Sequence, residues 1–239
     1  MAGHSKWANI KHRKGKADAI KGKIFSRITK EIITAVKLGG PDVKSNSRLR
    51  LVLQKARAAN MPTDNIERNI KKASSADQAA YSEITYELYG YGGVGLILEI
   101  MTDNKNRTSS DIRIAMNKRG GTLANPGAVA YNFDHKGVIQ VLKNKAVEDE
   151  LFLAVSEAGA DDFESEDDLF IITTPPEKLI QVKEAIDKLG VICESAELQM
   201  LPKNSVECSA EDQKSNLDLI EWLEGLDDVD AVYHNMKLS

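Results

Sequence analysis

From Ile24 onward, Phe25, Ile28, Ile32 and Val36 recur at helical spacing while Arg27, Lys30 and Lys37 fall on other faces. This predicts an amphipathic helix that Gly39-Gly40-Pro41 stops. A second helix is expected from about Ser45, with Leu49, Val52, Leu53 and Ala56 inward and Arg48, Arg50, Lys55 and Arg57 in solvent, until Asn60-Met61-Pro62 breaks it. A short third begins near Thr63, whose hydroxyl can cap it, with Asp64 and Glu67 at its positive start and Lys71 and Lys72 at its negative end. Beyond residues 73–80 the period changes. Ile84, Tyr86 and Leu88 alternate, and Val94 to Met101 form a near-continuous apolar run, so two strands of one sheet are expected.

A polar turn over 102–110, a helix over 112–118 and a strand over 128–133 should follow, with His135-Lys136-Gly137 turning the chain. The next segment carries a complete βαββαβ pattern. Its strands fall over 138–141, near Phe163, over 169–173 and over 191–201, and its helices over 147–158 and after Pro175-Pro176. A last helix over 211–223 and strand over 228–233 complete the sheet begun at Ile84. The expected class is therefore α+β in three domains: a basic three-helix bundle (1–78) and two ferredoxin-like α/β domains, the third (135–206) inserted into the second (79–134 with 207–239).

Charge sharpens this picture. Residues 1–72 hold 18 Lys and Arg against 5 Asp and Glu, leaving 14 basic and 31 acidic residues for the rest of a chain whose net charge is only −4. A cationic end on an otherwise acidic protein attracts phosphate backbones through counterion release, so nucleic acid is the expected partner. The first 22 residues lack apolar periodicity and read as an arm that orders on binding. The candidate contacts are His4, Ser5, Lys6, Trp7, Lys11, Arg13, Lys14, Lys16, Lys21, Lys23, Arg27 and Lys30, joined by Lys71, Lys72, Lys105 and Arg107. Lysines supply charge, Arg13 and Arg27 can grip phosphate bidentately, and Trp7 either stacks on an unpaired base or packs against the bundle. Lys105 and Arg107 precede the helix over 112–118, whose free amides could hold a phosphate, although capping by Thr108 or Ser109 explains the same residues.

Other chemistries find little support. Gly90, Gly92 and Gly95 spell GxGxxG, but a buried strand and not a helix follows, so no dinucleotide is assigned. His4, His12, His135 and His234 lack metal-ligand spacing, and the acidic run from Asp161 to Asp168 lacks the ligand pattern of an EF-hand. No catalytic residues, cofactor or metal are expected. Cys193 and Cys208 read as ordinary thiols of a reducing compartment, and with neither a secretory signal nor a membrane span in view, a cytoplasmic protein without membrane partners is expected.

The opening Ala2-Gly3-His4-Ser5-Lys6-Trp7, followed by Ile10-Lys11, Asp18, Lys23, Phe25 and Glu31, closely resembles the YebC/PmpR proteins. Met61-Pro62-Thr63-Asp64-Asn65-Ile66, Thr102-Asp103-Asn104-Lys105-Asn106-Arg107-Thr108, Gly120-Gly121 and Val232-Tyr233-His234-Asn235 extend the likeness over the whole chain. Leu88-Tyr89-Gly90-Tyr91-Gly92-Gly93 departs from the Gly-Tyr-Gly-Pro-Gly-Gly usual in relatives, and Asn69 stands where they tend to have Ala. The resemblance implies a helical domain with two α/β domains, no enzymatic activity, and a DNA-binding transcriptional regulator. Related members include a mitochondrial translational activator of cytochrome oxidase subunit one and ribosome-associated factors that relieve stalling at proline-rich stretches. A ribosome or RNA contact is therefore the alternative reading. The acidic domains would orient the arm or contact a protein partner.

Overall fold

The computed structural model describes residues 21–75 and 80–238. Three helices come first, α1 (Lys21–Gly39), α2 (Ser47–Ala58) and α3 (Thr63–Ala73). Their apolar stripes meet in a core of Ile28, Ile32, Val36, Leu49, Val52, Ala56 and Ile66. The α1–α2 corner is built on Asn46. Its Oδ1 accepts from Leu49 N at 2.9 Å and caps α2, while its Nδ2 donates to Ala35 O at 2.8 Å and Gly40 O at 2.7 Å at the end of α1. Gly40 makes the reversal at φ +80°, where a Cβ would be strained. In α3, Thr63 is the first helical residue and not the cap. Pro62 occupies the cap position and offers no side-chain hydrogen bond.

Two four-stranded antiparallel sheets follow. The first has the order β3-β1-β2-β8, from β1 (Ser82–Tyr89), β2 (Gly95–Thr102), β3 (Thr122–Leu123) and β8 (Val229–His234). Helices α4 (Lys105–Arg119) and α7 (Ala210–Gly225) cover one face, where Leu88, Leu96 and Leu98 meet Ile112, Leu219 and Leu223. The opposite face carries a smaller cluster of Ile97, Val129, Phe133, Ala231 and Tyr233. Both faces of β2 are therefore covered, which is why its sequence is a near-continuous apolar run broken only at half-buried Glu99 before Thr102. The second sheet has the order β5-β6-β4-β7, from β4 (Phe133–Leu142), β5 (Asp162–Glu166), β6 (Leu169–Thr174) and β7 (Ser195–Pro202). Helices α5 (Glu148–Glu157) and α6 (Leu179–Lys188) bury Leu151, Val155, Val182 and Ile186 against Ile139, Val141, Phe170 and Ile172. Leu51 of α2 packs on the edge of that core, so the bundle touches the second sheet.

Four further expectations are corrected. The strand over 128–133 is instead a loop ending in a single 3-10 turn, Ala130–Asn132. Buried Glu87 draws the N–H groups of Gly127, Val129 and Ala130 onto its carboxylate at 2.6 to 2.7 Å, so this backbone wraps an anion and does not pair in a sheet. Burial opposes ionisation of Glu87, but the three amides prevail and hold its pKa below the ordinary value. His135-Lys136-Gly137 does not turn the chain but continues β4, opposite Met200, Gln199 and Leu198. Gly137 is there for close approach, since a Cβ would lie 2.4 Å from Thr174 Oγ1 and 2.9 Å from Leu179 Cβ. Helix α4 starts at Lys105, inside the expected polar turn, because Asn104 caps it by accepting from Arg107 N at 3.1 Å. Finally, β7 begins at Ser195, four residues after the expected start.

Candidate nucleic-acid interface

His4, Ser5, Lys6, Trp7, Lys11, Arg13, Lys14 and Lys16 lie outside the described residues, and Lys21 is described only as the first residue of α1. The remaining candidates divide into two groups. Lys23, Arg27 and Lys30 recur along one side of α1 and meet the end of α7. Lys23 Nζ and Arg27 Nη2 both donate to Glu224 O, Arg27 at 3.0 Å. Lys30 Nζ donates to Asp227 O at 2.8 Å, to Met101 O at 3.2 Å and to Asp228 Oδ1 at 2.9 Å. The last carbonyls of a helix have no partner within it and form its negative pole, so three cations at this spacing complement the α7 terminus.

Asp228 is the centre of this contact. Besides Lys30 it accepts from Arg107 Nη2 at 2.7 Å, Arg107 Nε at 3.1 Å, Thr108 Oγ1 at 2.8 Å and Thr102 Oγ1 at 3.0 Å. Burial pushes its pKa up, but the hydrogen bonds from Arg107, Lys30 and Thr108 outweigh that and hold it at about 2. Arg107 also reaches Asp103 at 2.9 Å. Lys23 is shifted down: burial first, then the charge of Arg27 and more weakly of Lys30, outweigh Asp227 and Glu224 and lower its pKa to about 8. Four of the candidate cations are thus engaged within the molecule. Lys71 and Lys72 at the end of α3, and Lys105 at the start of α4, are exposed.

One cation of the bundle feels carboxylates of both sheets. Lys55 of α2 pairs with Glu31 of α1 at 3.1 Å. Burial disfavours its charge, but Glu197 on β7, Glu31, and Asp230 on β8 overcome this and raise its pKa above the ordinary value. The sequence places Lys55 on the wet face of a helix; that face is covered only because the sheets come to it. The signal that could have shown both contacts is the acidic run Asp227-Asp228-Val229-Asp230, a natural counterpart for a basic bundle.

Among the described residues, no group of three His, Cys, Asp or Glu could hold a metal ion, and no helix is long and apolar enough to cross a membrane. Both cysteines are free, and burial pushes the Cys193 thiol up to about 11, which leaves it un-ionised at neutral pH.

The helical part, residues 5–76, matches the profile of the TACO1/YebC protein N-terminal domain, and residues 81–236 match that of the TACO1/YebC second and third domain. The chain belongs to the TACO1/YebC family. A probable transcriptional regulatory protein of Protochlamydia amoebophila is 71% identical over 238 residues, covering all of this chain and 97% of the relative. One from Chlamydia muridarum is 59% identical over 237 residues, 99% of this chain and 100% of the relative. The crystal structure of a conserved hypothetical protein from Aquifex aeolicus is 42% identical, with a TM-score of 0.86 over 98% of this chain and 97% of that one. These likenesses extend across the bundle and both sheets, so this TACO1/YebC member shares the family's three-domain α+β architecture.

Proposed function

We propose that this protein is a non-enzymatic regulator of gene expression that binds DNA through its basic N-terminal region. The observation that carries the reading is the segregation of charge, 18 basic against 5 acidic residues in the first 72. That its relatives are named probable transcriptional regulatory proteins supports the same assignment. In this proposal His4, Ser5, Lys6, Trp7, Lys11, Arg13, Lys14, Lys16 and Lys21 contact the nucleic acid first, with exposed Lys71, Lys72 and Lys105 extending the positive field. Lys23, Arg27, Lys30 and Arg107 act differently. They hold the bundle and α4 to the Glu224–Asp228 segment and so orient the arm.

The proposed units are residues 1–78, residues 79–134 with 207–239, and residues 135–206. An arm rich in Lys and Gly reads phosphate backbone more readily than base edges, which keeps a ribosome or RNA contact as the second reading. Neutralising Lys11, Arg13, Lys14 and Lys16 together tests the arm. Binding to duplex DNA and to single-stranded RNA is measured across a salt series. Each phosphate contact removed should lower the log–log salt slope by about 0.9 on the duplex or about 0.7 on the single strand. An unchanged affinity and slope on both would refute arm-driven binding, and a change confined to RNA would favour the second reading.

A further inference from the structure

Helix α4 stands out in the first sheet's domain by its charge. Its fifteen residues carry five basic side chains against one acidic, Asp111, whereas neighbouring α7 carries five acidic against one basic. Only Lys118 and Arg119, in the last turn, complement the dipole of the helix itself. Its first turn contains no acidic residue and begins with Lys105, a cation at the positive pole of the dipole. Three of the five cations have internal partners: Arg107 on Asp228 and Asp103, and Lys118 and Arg119 over the Trp222 ring of α7 at 5.5 and 5.0 Å. Lys105 and Arg113 have no hydrogen bond or ion pair among the described residues.

Arg113 belongs to an ordered stripe. Asn106, Ser110, Arg113 and Asn117 are separated by four, three and four residues, which aligns them on one side of a helix, and all four are exposed. Their polar groups make no side-chain hydrogen bond among the described residues. The stripe is about 16 Å long, the length of four or five stacked bases. Its chemistry is specific: an asparagine amide presents a donor and an acceptor side by side, matching an adenine edge, and a guanidinium fork matches the two acceptors of guanine. Ile114, 45% exposed, borders the stripe and offers an apolar contact.

We propose that this stripe of α4 is a base-reading surface for nucleic acid, adding sequence discrimination to backbone contacts made elsewhere. It rests on the reading that the protein binds nucleic acid. The positive charge of the helix selects a polyanion over a neutral or acidic protein surface, and the Asn and Arg side chains select exposed base edges over phosphate. Accessible edges exist in the major groove of duplex DNA and in unpaired RNA, but not in the deep, narrow groove of double-helical RNA.

The full chain and N106A/R113A/N117A are each taken through selection rounds on randomised duplex DNA, randomised single-stranded RNA and randomised double-helical RNA. The expected result is a motif enriched by the unaltered protein from one of the first two pools. The triple variant should bind the unselected pool within about threefold of the unaltered protein yet enrich no motif, with discrimination falling about tenfold for each base contact removed. Arg113→Lys keeps the charge but loses the fork, so it too should lose preference; being a single surface change, it decides the matter should the triple variant lose its fold by circular dichroism. Enrichment of the same motif by both variants, binding without any motif by the unaltered protein, or a preference for double-helical RNA would overturn base reading by α4 and leave the arm reading intact. Failure of the unaltered protein to bind any pool at low salt would overturn both.

Discussion

Lys30 Nζ lies 2.9 Å from Asp228 Oδ1, joining α1, the first described helix, to the residue just before β8. Both side chains are largely shielded, at 12% and 5% exposure, so this pair is worth more than a surface salt bridge. A stretch that reads as part of a nucleic-acid surface is thereby also an internal clamp. Lys30 sits where the α7 terminus, Asp227 and Asp228 concentrate negative charge, and it donates to the Asp228 carboxylate and to the carbonyls of Met101 and Asp227.

Asp228→Asn should destabilise the protein by about 2 kcal/mol at pH 7, the linkage equivalent of a pKa held near 2. The folded pKa lies below the unfolded one, so this stability is present above about pH 4 and disappears as pH falls through the folded value. Urea titrations should show the variant's deficit shrinking between pH 5 and pH 2. A deficit independent of pH would mean that the carboxylate charge is not what the contact uses.

Lys23 has the opposite sign. Its pKa of about 8 in the folded protein lies below the ordinary lysine value, so the folded state binds fewer protons and stability rises as pH increases from about 8 towards 10.5. Lys23→Met should flatten that rise and cost little at neutral pH. The check is the pH dependence of the urea midpoint for the two proteins, measured over pH 7 to 10.5.

Removing Lys55 leaves Glu31 beside Glu197 and Asp230 without its cation. Lys55→Met should therefore cost about 2 kcal/mol, less than breaking a fully buried pair because Lys55 retains 30% exposure. The double change Lys55→Met with Glu31→Gln should recover part of the loss. Equal instability of the single and double variants in thermal denaturation would show that Lys55 acts through packing and not through charge.

Gly137→Ala tests the strand that replaces the expected turn. A Cβ at this position meets Thr174 Oγ1 and Leu179 Cβ within 3 Å, so β4 cannot keep its place against both β6 and α6. A loss of about 1 to 3 kcal/mol in denaturant unfolding is expected. A turn with open space around it would tolerate the same methyl group.

Much of the architecture is legible in the order of residues, because the elements concerned carry their own signals. The helical period of Phe25, Ile28, Ile32 and Val36, the near-continuous apolar run of β2, and the βαββαβ pattern each follow from which side chains must leave water. Two of the errors share one cause, the packing of distant segments. Glycine 137 reads as a turn residue because its need for close packing is invisible until β6 and α6 lie against it. The segment before Phe133 reads as a strand because its hydrophobic residues are right for one, and only the carboxylate of Glu87, more than 35 positions away, draws its amides elsewhere.

The candidate interface shows the same division. Local composition by itself determined that one end of this protein is strongly cationic, that the remainder is acidic, and that the chain alternates between helical and extended periods in an order that makes α+β domains. Only the tertiary structure decided which cations remain available. Lys23, Arg27, Lys30 and Arg107 are drawn to the Glu224–Asp228 segment, Lys55 pairs with Glu31 in the field of carboxylates from both sheets, and the Asn106–Asn117 stripe of α4 is left facing solvent. Charge and period are properties of neighbouring residues, whereas the partner of a charge is set by how distant segments pack, and in this protein the basic bundle and its acidic counterpart lie about 200 positions apart.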